Sequence, residues 1–168
     1  MKFKSIALAV ALSSCMGAVA AQQPAAQPQP QQQAPAQAQQ LTQEQQAQLA
    51  RQDAELTNAA TQVVQMIDAN RVGEVWDLST DAVKRIVPKD SFVQQVSADR
   101  QRLGAPTARG QAVVTRTQFQ EGGEVPAGLY INVAFPTTFA NNAEPVRELV
   151  SFRLDEDQVW RLSGYSLR

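Results

Sequence analysis

Glu148 is the residue in this chain best placed to do chemistry. It alternates with Val146, Val150 and Phe152, so an extended backbone carries its carboxylate to the same face as those apolar side chains. A carboxylate taken into an apolar interior needs a partner, and general acid or base work is one use for it. A two-residue turn at Glu156-Asp157 pairs Leu154 with Val159, and counting back sets Glu148 opposite Tyr165, whose hydroxyl can donate. Glu148 with Tyr165 or Tyr130 is therefore the acid/base pair of an enzyme reading. The plainer reading, and the one adopted, is a satisfied structural hydrogen bond at the end of a sheet. Arg100, Arg102, Arg109 and Arg116 flank one join in the chain and could receive an anion. Asp90, Asp99 and Glu121 make solvated ion pairs their default use. Tyr130, Trp76 and Trp160 could stack on a ligand, and serve equally as core aromatics. The ligand-binding set is thus Tyr130, Glu148, Tyr165 and Arg109, with no catalytic residue assigned.

Other chemistries lack their residues. Histidine is absent and Cys15 is the lone cysteine, which removes His-dependent triads, metal or haem ligation through His, and a disulfide within one chain. Without histidine a serine nucleophile needs a lysine base, and beyond residue 20 only Lys84 and Lys89 remain, away from any obvious serine pocket. Asp155-Glu156-Asp157 has neither the ligand spacing nor the glycine of a calcium loop, and Glu121-Gly122-Gly123 has neither the lysine nor the helix start of a phosphate loop. Neither a cofactor nor a metal is expected. Fifteen Lys and Arg against sixteen Asp and Glu leave a charge of −1, without the basic stripe of a nucleic-acid binder.

The first twenty residues read as a secretory signal. Lys2 and Lys4 precede an uncharged apolar run from Ser5 to Met16, too short to span a bilayer, and Ala18-Val19-Ala20 offers a cleavage site between Ala20 and Ala21. The mature chain then has no transmembrane span and is periplasmic or secreted. The alternative is Leu12-Ser13-Ser14-Cys15 as a lipobox, which makes Cys15 the acylated first residue of an envelope protein. Residues 21–40 form a Gln/Pro/Ala linker that cannot bury enough apolar area to order itself.

One α+β domain is expected over residues 41–168. Thr42 and Gln45 make a capping box for a long helix marked by Leu49, Leu56, Ala60, Val63 and Ile67, ending near Asp68-Ala69-Asn70. Short helices follow around Trp76 and Ala82, with Pro88 as a stop, and a further helix from Lys89 ends at Gly104. After Pro106 the period becomes two. Strands over 113–119, 129–135, 146–154 and 159–167 predict a curved four-stranded antiparallel meander with the helices on one side. In this reading Val150 and Phe152 lie on one face of the last two strands, and Leu149, Trp160 and Leu162 on the other. Apolar residues on both faces suggest a homodimer through the sheet face.

Taken together, Glu74-Val75-Trp76, Arg102-Leu103-Gly104 with Arg109, Pro126-Ala127-Gly128-Leu129-Tyr130, Phe135 with Thr138-Phe139, Glu148-Leu149-Val150 and the ending Trp160-Arg161-Leu162-Ser163-Gly164-Tyr165 resemble a family of secreted bacterial proteins known as domain of unknown function 4019. The chain departs from the family pattern at Phe92 and Val159, where Trp and Gly are usual. The resemblance implies a cystatin-like cone, similar also to nuclear transport factor 2, and implies no activity. The expected function is an exported, non-enzymatic binding domain of the bacterial envelope. Its partner would be a second copy, an envelope protein or a small apolar ligand.

Overall fold

The computed structural model describes residues 41–168. The expected signal segment 1–20, with Cys15 and the expected Ala20–Ala21 cleavage site, and the expected linker 21–40 lie outside the described residues. Helix α1 (Gln43–Asp68) starts at a capping box: Gln45 N–H donates to Thr42 Oγ1 at 3.2 Å, and Thr42 N–H donates to Gln45 Oε1 at 2.9 Å. Nothing before Leu56 is buried; beyond it Leu56, Ala60, Val63, Val64 and Ile67 form one apolar stripe. Asn70, at φ 59°, turns the chain into α2 (Val72–Asp77). Thr80 Oγ1 accepts from Val83 N–H at 3.2 Å and starts α3 (Asp81–Ile86), and α4 (Lys89–Leu103) ends at Gly104, whose φ of 80° disfavours a side chain.

Helices are followed by an open antiparallel sheet, as the change of period predicts: β1 (Pro106–Arg109), β2 (Val113–Phe119), β3 (Gly128–Phe139), β4 (Asn142–Leu154) and β5 (Trp160–Leu167). There are five strands and not four. The four expected strands are present, the first of them intact as β2, and β1 is an additional short strand; both pair with β3, β1 with its far end and β2 with its near end. Gly110 lies between β1 and β2. Its N–H donates to the Pro136 carbonyl at 2.8 Å, and a Cβ there would sit 2.7 Å from Pro136 Cγ, so only glycine permits this approach.

The α1 stripe packs on Ile131, Val133, Phe135, Val150, Phe152 and Leu162, joined by Val72, Val75 and Val96. Each such side chain contributes about 1.5–3 kcal/mol by leaving water. Among the described residues no helix is long and apolar enough to cross a membrane.

The expected register of the last hairpin needs two corrections. The loop is one residue longer than a two-residue turn: Gln158 takes φ 62°, Asp155 N–H donates to the Val159 carbonyl at 3.0 Å, and Leu154 pairs with Trp160, not Val159. A bulge then leaves Ser163 unpaired between the Phe152–Leu162 and Ser151–Gly164 pairs. The longer turn brings Trp160 and Leu162 to the helix side, where Leu162 is buried and Trp160 packs on the core, so they are not on the outer face. The bulge restores the alternation, and Tyr165 and Leu167 also face inward. Glu148 pairs with Leu167 and Val150 with Tyr165.

Candidate functional site

The inward face of β4 delivers Glu148 to the interior with no exposed surface. Tyr165 reaches it from a diagonal position on β5, donating its hydroxyl to Oε1 at 2.8 Å. The contact expected from sequence is present although the register that suggested it is not. Two one-residue shifts move the partner by two positions, which keeps it on the same face.

Four further side chains close around this pair. Arg109, from β1, donates through Nε to Glu148 Oε2 at 2.6 Å and through Nη2 to Oε1 at 3.3 Å. The Thr137 hydroxyl, from β3, donates to Oε2 at 2.8 Å. Arg100, from α4, donates through Nη1 to Oε1 at 3.3 Å. Both arginines also hold Asp68 in the last turn of α1: Arg109 Nη1 and Nη2 at 2.7 and 2.9 Å, Arg100 Nη2 at 2.5 Å. The Arg100 guanidinium lies 4.9 Å from the Phe139 ring centre. Two cations and two anions balance, and both Glu148 oxygens are saturated with donors. The cluster ties α1, α4, β1, β3, β4 and β5 together.

These surroundings shift two titrations. Burial alone lowers the Arg109 pKa, but hydrogen bonds to Asp68 and Glu148 outweigh it and hold the guanidinium above its ordinary value. Burial, followed by the Glu148 charge, pushes the Tyr165 phenol well above its usual range.

Tyr130, the fourth residue of the expected binding set, is not in this cluster. It pairs with Arg153 and lies on the other face of the sheet, where its hydroxyl donates to the Pro126 carbonyl at 2.8 Å and its ring meets Phe119 edge-on at 5.1 Å. Arg102 reaches Asp99 at the surface, and Arg116 reaches Asp53, so the expected arginine group is divided. Asp68 and Thr137 escape the sequence reading. Asp68 carried one signal: an acid in the last turn of a helix opposes the helix dipole and calls for a cationic neighbour.

The sheet's other end is open. A groove of about 790 Å³ runs between α1, the α2–α3 segment and the β4–β5 hairpin. Val63, Met66, Phe152, Trp160 and Leu162 supply apolar lining, and Leu78 is 54% exposed beside them. Lys84, Arg85 and Asp81 line the helical wall; Arg153, Arg161, Asp155 and Asp157 line the hairpin wall. The hairpin charges are largely paired: Arg153 with Asp155 at 2.7 Å, and Arg161 with Asp155 and Asp157 at 3.1 and 2.8 Å. The Arg161 hydrogen bonds hold the Asp157 carboxyl at about 2, below the ordinary carboxylate range. The groove and the titratable cluster are separate places, and none of the groove lining belongs to the Glu148 network. Among the described residues no group of three or more Cys, Asp or Glu could hold a metal ion.

Neither the curated proteins nor the solved structures include a match to this chain. The family described as Protein of unknown function (DUF4019) matches residues 59–165, a span that runs from the core-facing half of α1 to Tyr165 and takes in the whole Glu148 network; the chain belongs to that family.

Proposed function

We propose that this is an exported, non-enzymatic binding domain whose ligand lies in the groove between α1, the α2–α3 segment and the β4–β5 hairpin. The observation that carries the reading is the groove: about 790 Å³, apolar beneath and charged along both walls. Ligand sites have about 300–1,000 Å³ with apolar linings and a few polar groups. Its lining suits a small amphiphile with an apolar body, or an apolar side chain offered by an envelope protein.

On this reading Glu148 and Tyr165 serve structure. A general base needs a free lone pair and a path to substrate, whereas Glu148 is fully buried and already accepts from Arg100, Arg109, Thr137 and Tyr165. Export rests on the residues of the leader; mass spectrometry of the mature N-terminus should find unmodified Ala21, and an acylated Cys15 would instead make this a lipid-anchored envelope protein.

The ligand test is a fluorescence titration with 1-anilinonaphthalene-8-sulfonate, a small anionic amphiphile. The intact protein should bind it saturably, and Leu78→Asp should weaken binding about tenfold by placing a charge in the groove, a difference of about 1.4 kcal/mol. Equal binding by the two proteins, with equal urea midpoints, removes the groove as the site.

A further inference from the structure

The two edges of the sheet are finished differently. At the β5 edge the backbone is engaged: the Leu162 carbonyl accepts from Thr80 N–H at 2.8 Å, Ser79 bridges Leu162, and the Ser163 bulge distorts the pairing with β4. Covering segments and bulges keep an edge from recruiting another strand. The β2 edge has neither a bulge nor, among the described residues, a backbone partner beyond β3. Val113–Phe119 pairs with β3 in unbroken register, contains no proline or lysine, and meets no strand on its far side among the described residues. In an antiparallel pair alternate residues turn both N–H and C=O away from the partner, so those groups of β2 are free to pair.

We propose that this edge pairs antiparallel with the same edge of a second copy, joining two sheets across a two-fold axis. The strand is complementary to itself. With the axis at Arg116, Val113 lies opposite the partner's Phe119, and Thr115 lies opposite the partner's Thr117. Val113 is 58% and Phe119 36% exposed in the single chain, and this register covers both. The one charge on the strand is offset in advance, because Arg116 donates to Asp53 at 2.6 Å and to Gln52 at 3.0 Å. Those bonds hold the early part of α1, which buries nothing of its own, beside the same edge. The sheet face expected to dimerise is a poorer candidate, since its centre carries Asn132 and Ser151, already bonded to each other at 2.7 Å. Seven paired residues make a seam only about 23 Å long. That is short of the roughly 800 Å² per partner of a standard interface, so the dimer forms reversibly and in the micromolar range.

Sedimentation equilibrium of the purified protein tests this, and the mass should rise from monomer toward dimer with concentration. Thr115→Lys with Thr117→Lys sets like charges opposite each other twice across the seam and should weaken association about tenfold. Thr115→Lys with Thr117→Glu sets opposite charges in the same places and should restore it. A monomer at every concentration overturns the proposal, as does a dimer indifferent to both changes or equally lost in both.

Discussion

The two ends of the sheet spend their charges differently. At the Glu148 end, one fully buried carboxylate is held by two partly buried arginines, which Asp68 caps from the surface. At the hairpin end, a larger number of charges stand on the walls of an open groove, and those of the hairpin are paired mainly with neighbours in sequence. Charge removed from water is costly unless paired, so the closed end tolerates little change. The open end tolerates a great deal, which suits a surface that must meet something else. The residues that look most chemical are thus the least available, and the available surface is the one whose residues look ordinary.

Substitutions sharpen this contrast. Arg109→Ala leaves Asp68 and Glu148 short of a partner and should cost about 3–5 kcal/mol in urea denaturation. A loss below about 1 kcal/mol, the range of surface pairs, would mean that the cluster is effectively solvated. Tyr165→Phe removes a hydrogen bond to a charged acceptor and should cost about 1.5–3 kcal/mol. Its pH dependence carries a sign. With the Tyr165 phenol raised in the folded state, the unfolded chain loses its proton first as pH climbs past about 10, and stability falls from there upward. Tyr165→Phe should flatten that alkaline decline, leaving the smaller share from Tyr130, which burial also raises. At the open end Leu78→Ser should change stability by no more than about 0.5 kcal/mol, since Leu78 is already half exposed. Smallest of all, Arg161→Ala should lower the unfolding midpoint at neutral pH only slightly, because the Asp157 pair is exposed, and lift the Asp157 titration from about 2 toward the ordinary carboxylate range, read by carbon-detected NMR.

Much of the fold was legible because its signals are local. Thr42 with Gln45, Pro88 and Gly104 mark helix ends through their own side chains or backbone, and all fall where expected. The alternation that carries Glu148 inward is local too. What sequence could not supply is the count of residues absorbed by irregularities. Gln158 takes a left-handed turn position that glycine usually fills, and Ser163 bulges beside Gly164, a glycine that the sequence reading used only as part of the family ending. Gln158 decides which face receives Trp160 and Leu162, and with it whether the outer face looks sticky; Ser163 decides which face receives Tyr165. Gly110 was visible as a residue, but its effect depends on Pro136 lying against it, a contact distant in sequence. Asp68 and Thr137 joined the cluster for the same reason: nothing near them in the chain says that Arg100 and Arg109 will arrive.

The division into a closed structural end and an open binding end is tested most directly by mapping backbone amide shifts of the isotope-labelled protein during titration with 1-anilinonaphthalene-8-sulfonate. The expected result is saturable movement at Met66, Leu78, Trp160 and Leu162, with Arg100, Arg109, Glu148 and Tyr165 unmoved. Movement centred on Glu148 and Tyr165, with the groove residues still, would contradict it.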